Sequence, residues 1–166
     1  RLFYDDGHLY FGTGKNSGSG KYYVIDTKSE KKEDATKTEE IKNVKEIISS
    51  EGSFYLKNAV KVGQYIITSD NQGTISSIDT KNNDKVVSTK EIGKRFSGGI
   101  AYDKTTNMIY FVAGTNDLYG VKVGNDGTFG EEKSVRVYET GYSAMTPEVY
   151  NGKVYVSGCV GTSPFS

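Results

Sequence analysis

Asp5, Asp6 and His8 crowd one turn of this 166-residue chain. Adjacent carboxylates are the groups that bind calcium, and a carboxylate beside a histidine can orient a general base. Calcium needs several convergent oxygen ligands, however, and one acidic pair next to Gly7 is also what a tight turn uses. His8 is the only histidine, and no motif fixes a Ser or Cys partner for it, so a triad does not follow. The run from Gly12 to Lys21 has the glycines and lysine of a phosphate-binding loop but not their order. Lys15 stands where the first glycine belongs, Tyr22 follows where Ser or Thr would meet magnesium, and a strand pattern replaces the helix. Asp70-Asn71-Gln72-Gly73 and Asn125-Asp126-Gly127 have the first residues of calcium loops without the later oxygen positions, so they are expected to be hairpin turns. Cys159 is a lone cysteine, expected as a small core residue; it can form no internal disulfide and by itself makes no metal site. Tyr138 and Tyr142, near the turn into the last repeat, are free to face a ligand. The ligand-facing candidates are therefore Asp5, Asp6, His8, Tyr138 and Tyr142. No catalytic residue, cofactor site or metal site is predicted.

The elements that must position these residues repeat. A turn followed by a tyrosine-bearing apolar strand recurs as Asp6-Gly7-His8-Leu9-Tyr10-Phe11, Val62-Gly63-Gln64-Tyr65-Ile66-Ile67, Thr106-Asn107-Met108-Ile109-Tyr110-Phe111 and Asn151-Gly152-Lys153-Val154-Tyr155-Val156. The anchors Gly7, Gly63, Asn107 and Gly152 are separated by about 56, 44 and 45 residues, a spacing typical of blade or solenoid repeats. A second alternating strand follows each of the first three, and the tetrapeptides Ile25-Asp26-Thr27-Lys28 and Ile78-Asp79-Thr80-Lys81 are nearly identical. Short strands are expected before each anchor (Leu2 to Tyr4, Ala59 to Val62, Ile100 to Tyr102, Glu148 to Tyr150). Outer strands are expected at Lys45 to Ser49, Lys85 to Thr89 and Ser134 to Tyr138. Each unit is then a four-stranded antiparallel meander. Only Thr36 to Ile48 has helix-forming composition, and by analogy its end is an outer strand, with Ser29 to Val44 a long charged loop. Tyr10, Tyr65, Tyr110 and Tyr155 fall at or near equivalent positions and are expected to pack between units.

The sequence Val149-Tyr150-Asn151-Gly152-Lys153-Val154-Tyr155-Val156-Ser157-Gly158, together with Gly73-Thr74-Ile75-Ser76-Ser77-Ile78-Asp79, resembles the blades of quinoprotein alcohol dehydrogenase-like (PQQ-like repeat) β-propellers. Gly98 to Asp103 and Asn107 to Val112 look more like lactonase or NHL-type blades. The resemblance implies an all-β fold, a β-propeller of four-stranded antiparallel blades with about three and a half blades in this chain. The blades are expected at 1-51, 52-94, 95-141 and an incomplete 142-166. The enzyme's chemistry does not come with the fold. Quinone-binding members use a tryptophan at the ring, a vicinal cysteine pair and calcium, and this chain has no Trp and one Cys.

Lys plus Arg and Asp plus Glu both total 21, so no net basic charge calls for nucleic acid or an anionic membrane. Twenty Gly and 13 Tyr against two Pro suit short strands and tight turns. No apolar run is long enough to cross a bilayer as a helix. Arg1 is not a natural start, so a processed or cut N-terminus is expected. Since propellers close with about four to eight blades, a fragment of a longer propeller is expected, ahead of copies completing a ring or a lone four-bladed disc. The expected function is a non-catalytic binding or scaffold module of a secreted or cell-surface bacterial protein, without cofactor. Its partner would be a protein or carbohydrate, and another chain or the rest of the same polypeptide would close the propeller. The alternatives are a lactonase- or lyase-like enzyme whose site other blades complete, and a protein-assembly factor using blade edges or loops.

Overall fold

Tyr65-Ile66-Ile67-Thr68-Ser69 is buried at every position, which a strand tolerates only when both of its faces are covered. That strand sits in the middle of three consecutive antiparallel sheets in a computed structural model. The structure describes residues 1–15, 17–28, 43–96, 98–114, 116–138 and 145–158. The first sheet runs β1 (Leu2–Asp5), β2 (His8–Gly12), β3 (Gly20–Asp26), β4 (Val44–Ser50). The second runs β5 (Ala59–Val62), β6 (Tyr65–Ser69), β7 (Thr74–Asp79), β8 (Lys85–Glu91). The third runs β9 (Ala101–Asp103), β10 (Met108–Ala113), β11 (Asp117–Val123), β12 (Phe129–Arg136). In each, spatial order follows chain order, as a meander requires. A two-stranded sheet, β13 (Glu148–Tyr150) with β14 (Lys153–Tyr155), begins a fourth unit. These are blades of a β-propeller: three complete, one represented by its first hairpin.

Period-two alternation decides which neighbour each residue meets. Tyr10, Tyr22, Val24, Ile66, Ile78 and Phe54 form the core between blades one and two. Tyr65, Ile67 and Ile75 point the other way, onto Ile109, Phe111, Tyr119 and Val121 of blade three. Tyr10 and Tyr65 thus both face the following blade, whereas Tyr155 is half-exposed on the last hairpin. A register shift recurs where the outer strand pairs, at Tyr22/Tyr23, Ser77/Ile78 and Val121/Val123. Such bulges raise local twist and bend the outer strand.

The expected strand positions need one adjustment. The outer strand of blade three spans Phe129–Arg136, not Ser134 to Tyr138. It starts at once after the turn in which Asp126 Oδ1 accepts from the Thr128 amide and hydroxyl, at 3.1 and 2.6 Å. The tail of the helix-like stretch is strand from Val44 on; its earlier part lies outside the described residues, as do Tyr142 and Cys159.

Candidate functional site

Antiparallel order puts two kinds of connection at opposite ends of the blades. One end carries the tight turns at 6–7, 63–64, 104–107 and 151–152 and the β7–β8 and β11–β12 turns. The other carries the β2–β3, β6–β7 and β10–β11 loops and the crossings from β4 to β5 and from β8 to β9, with Val137–Tyr138 and Met145–Pro147 flanking the passage into the fourth unit.

At the turn end each reversal is closed within its own blade, while Lys61 to Asp5, Tyr10 to Asp84 and Lys45 to the Asn83 carbonyl bond blade one to blade two. Asp26 Oδ1 accepts from the Lys28 amide at 3.0 Å, and Asp79 Oδ1 accepts from the Lys81 amide at the same distance. The Thr27 amide and hydroxyl both donate to the Gly7 carbonyl, and those of Thr80 both donate to the Gln64 carbonyl. The repeated Ile-Asp-Thr-Lys is therefore turn chemistry used twice. Three of the candidate ligand residues lie here. Lys61 Nζ donates to Asp5, Lys28 Nζ lies 3.1 Å from Asp6 Oδ1, and His8 Nδ1 lies 3.2 Å from the Asp6 carbonyl oxygen. The Lys28 hydrogen bond holds the Asp6 carboxyl below its ordinary range. Tyr138 lies at the opposite end, its carbonyl accepting from Asn116 Nδ2 at 3.3 Å. The structure does not bring these four into one site.

The crossing end is held by bonds between blades. Asn58 makes a two-way bond with Ile100: its Oδ1 accepts from the Ile100 amide at 2.8 Å and its Nδ2 donates to the Ile100 carbonyl at 2.9 Å. Lys57, buried, donates from Nζ to the carbonyls of Phe96 at 2.6 Å and Gly98 at 3.1 Å. Desolvation first, then the charge of Arg95, pushes its ammonium down to about 8. The Gly99 amide donates to Thr146 Oγ1 at 3.1 Å, carrying the chain of contacts to the fourth blade. Asp117 accepts from Lys94 Nζ at 2.7 Å and Arg136 Nε at 3.2 Å. The Lys94 bond, against desolvation and with help from Arg136, keeps the Asp117 carboxyl below its ordinary range. Asp70 Oδ1 caps its loop by accepting from the Gln72, Gly73 and Thr74 amides, and Oδ2 accepts from Ser50 at 2.6 Å.

Within this end one backbone is strained. Leu56 has φ 58°, a conformation that costs a bulky residue about 1–3 kcal/mol. Only Tyr55 and Leu56 of this loop present large apolar side chains to solvent, 47% and 61% exposed. Nothing in residue type flagged Lys57, Asn58, Asp117 or Leu56, because their roles come from partners in other blades.

Asp70 and Asp117, two of the carboxylates at this end, already accept bonds from amides, Ser50, Lys94 and Arg136. Among the described residues no group of three or more His, Cys, Asp or Glu could hold a metal ion.

No family model matches the chain, and no curated protein matches it. Among solved structures the chain is similar to BamB from Moraxella catarrhalis, at 18% identity and a TM-score of 0.56. The match covers 95% of this chain and 42% of that one, so the chain spans less than half the length of the propeller it resembles. At this identity the likeness is one of fold.

Proposed function

We propose that the chain is part of a non-catalytic propeller of the PQQ-like type that binds other proteins through its crossing end and serves in their assembly. The observation behind this reading is the set of interblade bonds at that end: Asn58 to Ile100, Lys57 to Phe96 and Gly98, and Thr146 to Gly99. Loops held this way pay little ordering entropy when a partner arrives, which favours recognition by a rigid surface. Asp70 and Asp117 are engaged in the same scaffold. The proposal includes blade limits near residues 51, 94 and 141 and an extracytoplasmic location, secreted or surface-attached.

Photo-crosslinking amino acids placed singly along the crossing loops and, for contrast, along the outer strands β8 and β12 test it in the native cells. Protein adducts concentrated at the crossing loops are expected. Adducts confined to the outer strands, or turnover of a lactone or polysaccharide panel by the purified protein, would overturn it.

A further inference from the structure

We propose that Asn151-Gly152 is a site of spontaneous covalent modification. The turn between β13 and β14 deamidates through a succinimide and becomes in part isoaspartate, the substrate class of protein-isoaspartyl methyltransferases. The inference goes beyond the binding reading above and stands without it.

The reaction needs a nucleophile, an electrophile and room. The Gly152 amide nitrogen, as its anion, attacks Asn151 Cγ. The N–Cγ bond forms, the Cγ–Nδ2 bond breaks, and the side-chain nitrogen takes protons from water and leaves as ammonia. Water then adds to either carbonyl of the five-membered ring. One opening gives aspartate; the other gives isoaspartate, with the main chain rerouted through the former side chain. Asn151 is the only asparagine of the chain that precedes a glycine. Glycine leaves the attacking nitrogen unhindered and lets the backbone rotate as the ring closes.

The fold exposes this pair and ties down its competitors. Asn151 and Gly152 are both exposed, at φ 49° and 73°, and a Cβ on Gly152 would meet nothing within 4 Å. Among the described residues neither the Asn151 side chain nor the Gly152 amide enters a hydrogen bond. Elsewhere asparagines are held. Asn58 bonds Ile100 through both side-chain atoms, Asn71 Oδ1 accepts from the Ser53 amide, and Asn107 Oδ1 accepts from the Tyr102 hydroxyl. Two Asp-Gly pairs could close the same ring by losing water, but an ionised carboxylate is a poorer electrophile than an amide. Asp6 is moreover paired with Lys28, Asp126 accepts from Thr128, and the Gly127 amide donates to the Gly124 carbonyl at 3.0 Å.

The hairpin also opens at low cost. β13 and β14 are three residues each and form a two-stranded sheet, a unit of marginal stability by itself. Local opening brings the amide nitrogen to Cγ while the three complete blades stay folded. The two products then differ in effect. Aspartate accepts the left-handed region as asparagine does, so the turn survives. Isoaspartate adds a main-chain carbon between Tyr150 and Lys153, whose pairing sets the hairpin register.

Incubating the intact protein at pH 8.5 and 37 °C, with tryptic peptides mapped by mass at intervals, tests the assignment. The peptide 137–153 contains one asparagine and no glutamine, so conversion read there is conversion at 151. It is expected to precede conversion at every other asparagine, and the product should accept a methyl group from an isoaspartyl methyltransferase. Gly152→Ala hinders the nitrogen and Asn151→Gln enlarges the ring. Each should slow conversion at least about tenfold. Earlier conversion at another asparagine, or unchanged rates in both variants, would overturn the inference. So would conversion confined to a urea-unfolded control, because the folded turn would then protect the amide. Conversion at 151 with no methyl acceptance would overturn it as well.

Discussion

The two ends of the blades solve the same problem by different means. At the turn end, reversals of the chain are made by Gly7, Gly63, Asn107 and Gly152, and by Asp and Thr side chains bonding within their own blade. At the crossing end, the chain must leave one blade and enter the next, and the bonds that secure it reach across sheets. Local turns tolerate change because water and neighbouring turn groups replace what is lost. A crossing does not, since its partners are buried and fixed by another blade. The difference should show as a gradient of mutational sensitivity from one end to the other.

The steepest contrast is expected at Phe54, the buried aromatic of the first crossing. Phe54→Ala removes it from the core shared by blades one and two and should cost about 3–5 kcal/mol, read from urea unfolding. A cost below about 1 kcal/mol would mean that the crossing is not part of that core.

Glycine offers the same comparison in matched form. Gly73 at the crossing end and Gly7 at the turn end both have positive φ, at 104° and 81°. A Cβ on Gly73 would collide with the Lys94 carbonyl oxygen, which is backbone, whereas on Gly7 it would meet the flexible Lys28 side chain. Gly73→Ala should therefore destabilise by at least about 2 kcal/mol more than Gly7→Ala. Equal losses would show that backbone strain alone, and not the approach of a second segment, sets the cost.

How much of this was legible in the residues follows from the same division. The repeat and the meander could be read because each is local: alternation within a strand, Gly or Asn at a reversal; Ile-Asp-Thr-Lys was legible as a repeated tetrapeptide and not as the turn that follows Asp26 and Asp79. The register shifts and the full length of Phe129–Arg136 could not, because pairing to the neighbouring strand sets them. The candidate residues were drawn to Asp5, Asp6 and His8 for a related reason. A dense polar turn is conspicuous in sequence, whereas Lys57 becomes unusual only when its ammonium is found buried against the carbonyls of Phe96 and Gly98. Leu56 is invisible without its φ angle.

Lys57 gives the comparison a signature in pH. Its ammonium titrates near 8 in the folded chain and at the ordinary, higher value when unfolded. Below pH 8 both states hold the proton and the desolvation penalty is fully present. Between pH 8 and about 10 the folded state releases it first, so the unfolded state binds more protons and stability rises with pH. The rise should be about 1–2 kcal/mol once the partial solvent screening of the group is allowed for. Above that window Tyr10 and Tyr22 act in the opposite direction, because burial raises their hydroxyls and the unfolded chain ionises first. Urea midpoints at pH 7.5, 9 and 9.7 should therefore climb in the native chain and stay level in Lys57→Met. A climb that persists in the variant assigns the titration elsewhere.

The smallest effect is expected at the conspicuous turn. Asp6 and Lys28 are both largely exposed, and an ion pair in that setting contributes little because water and salt screen it. Asp6→Asn keeps a residue that accepts φ 41° while removing the charge, so it isolates the pair from the backbone. Its urea midpoint should match that of the native chain within the scatter of replicate measurements, and match it more closely still in 1 M salt. Because the folded carboxyl titrates below its unfolded value, whatever the pair contributes is present above the unfolded value and fades as pH falls through the folded one. If Asp6→Asn instead cost as much as a crossing residue, the division between reversals closed within a blade and crossings braced by another blade would fail where it is most exposed. The acidic turn would then have to be doing more than closing a hairpin.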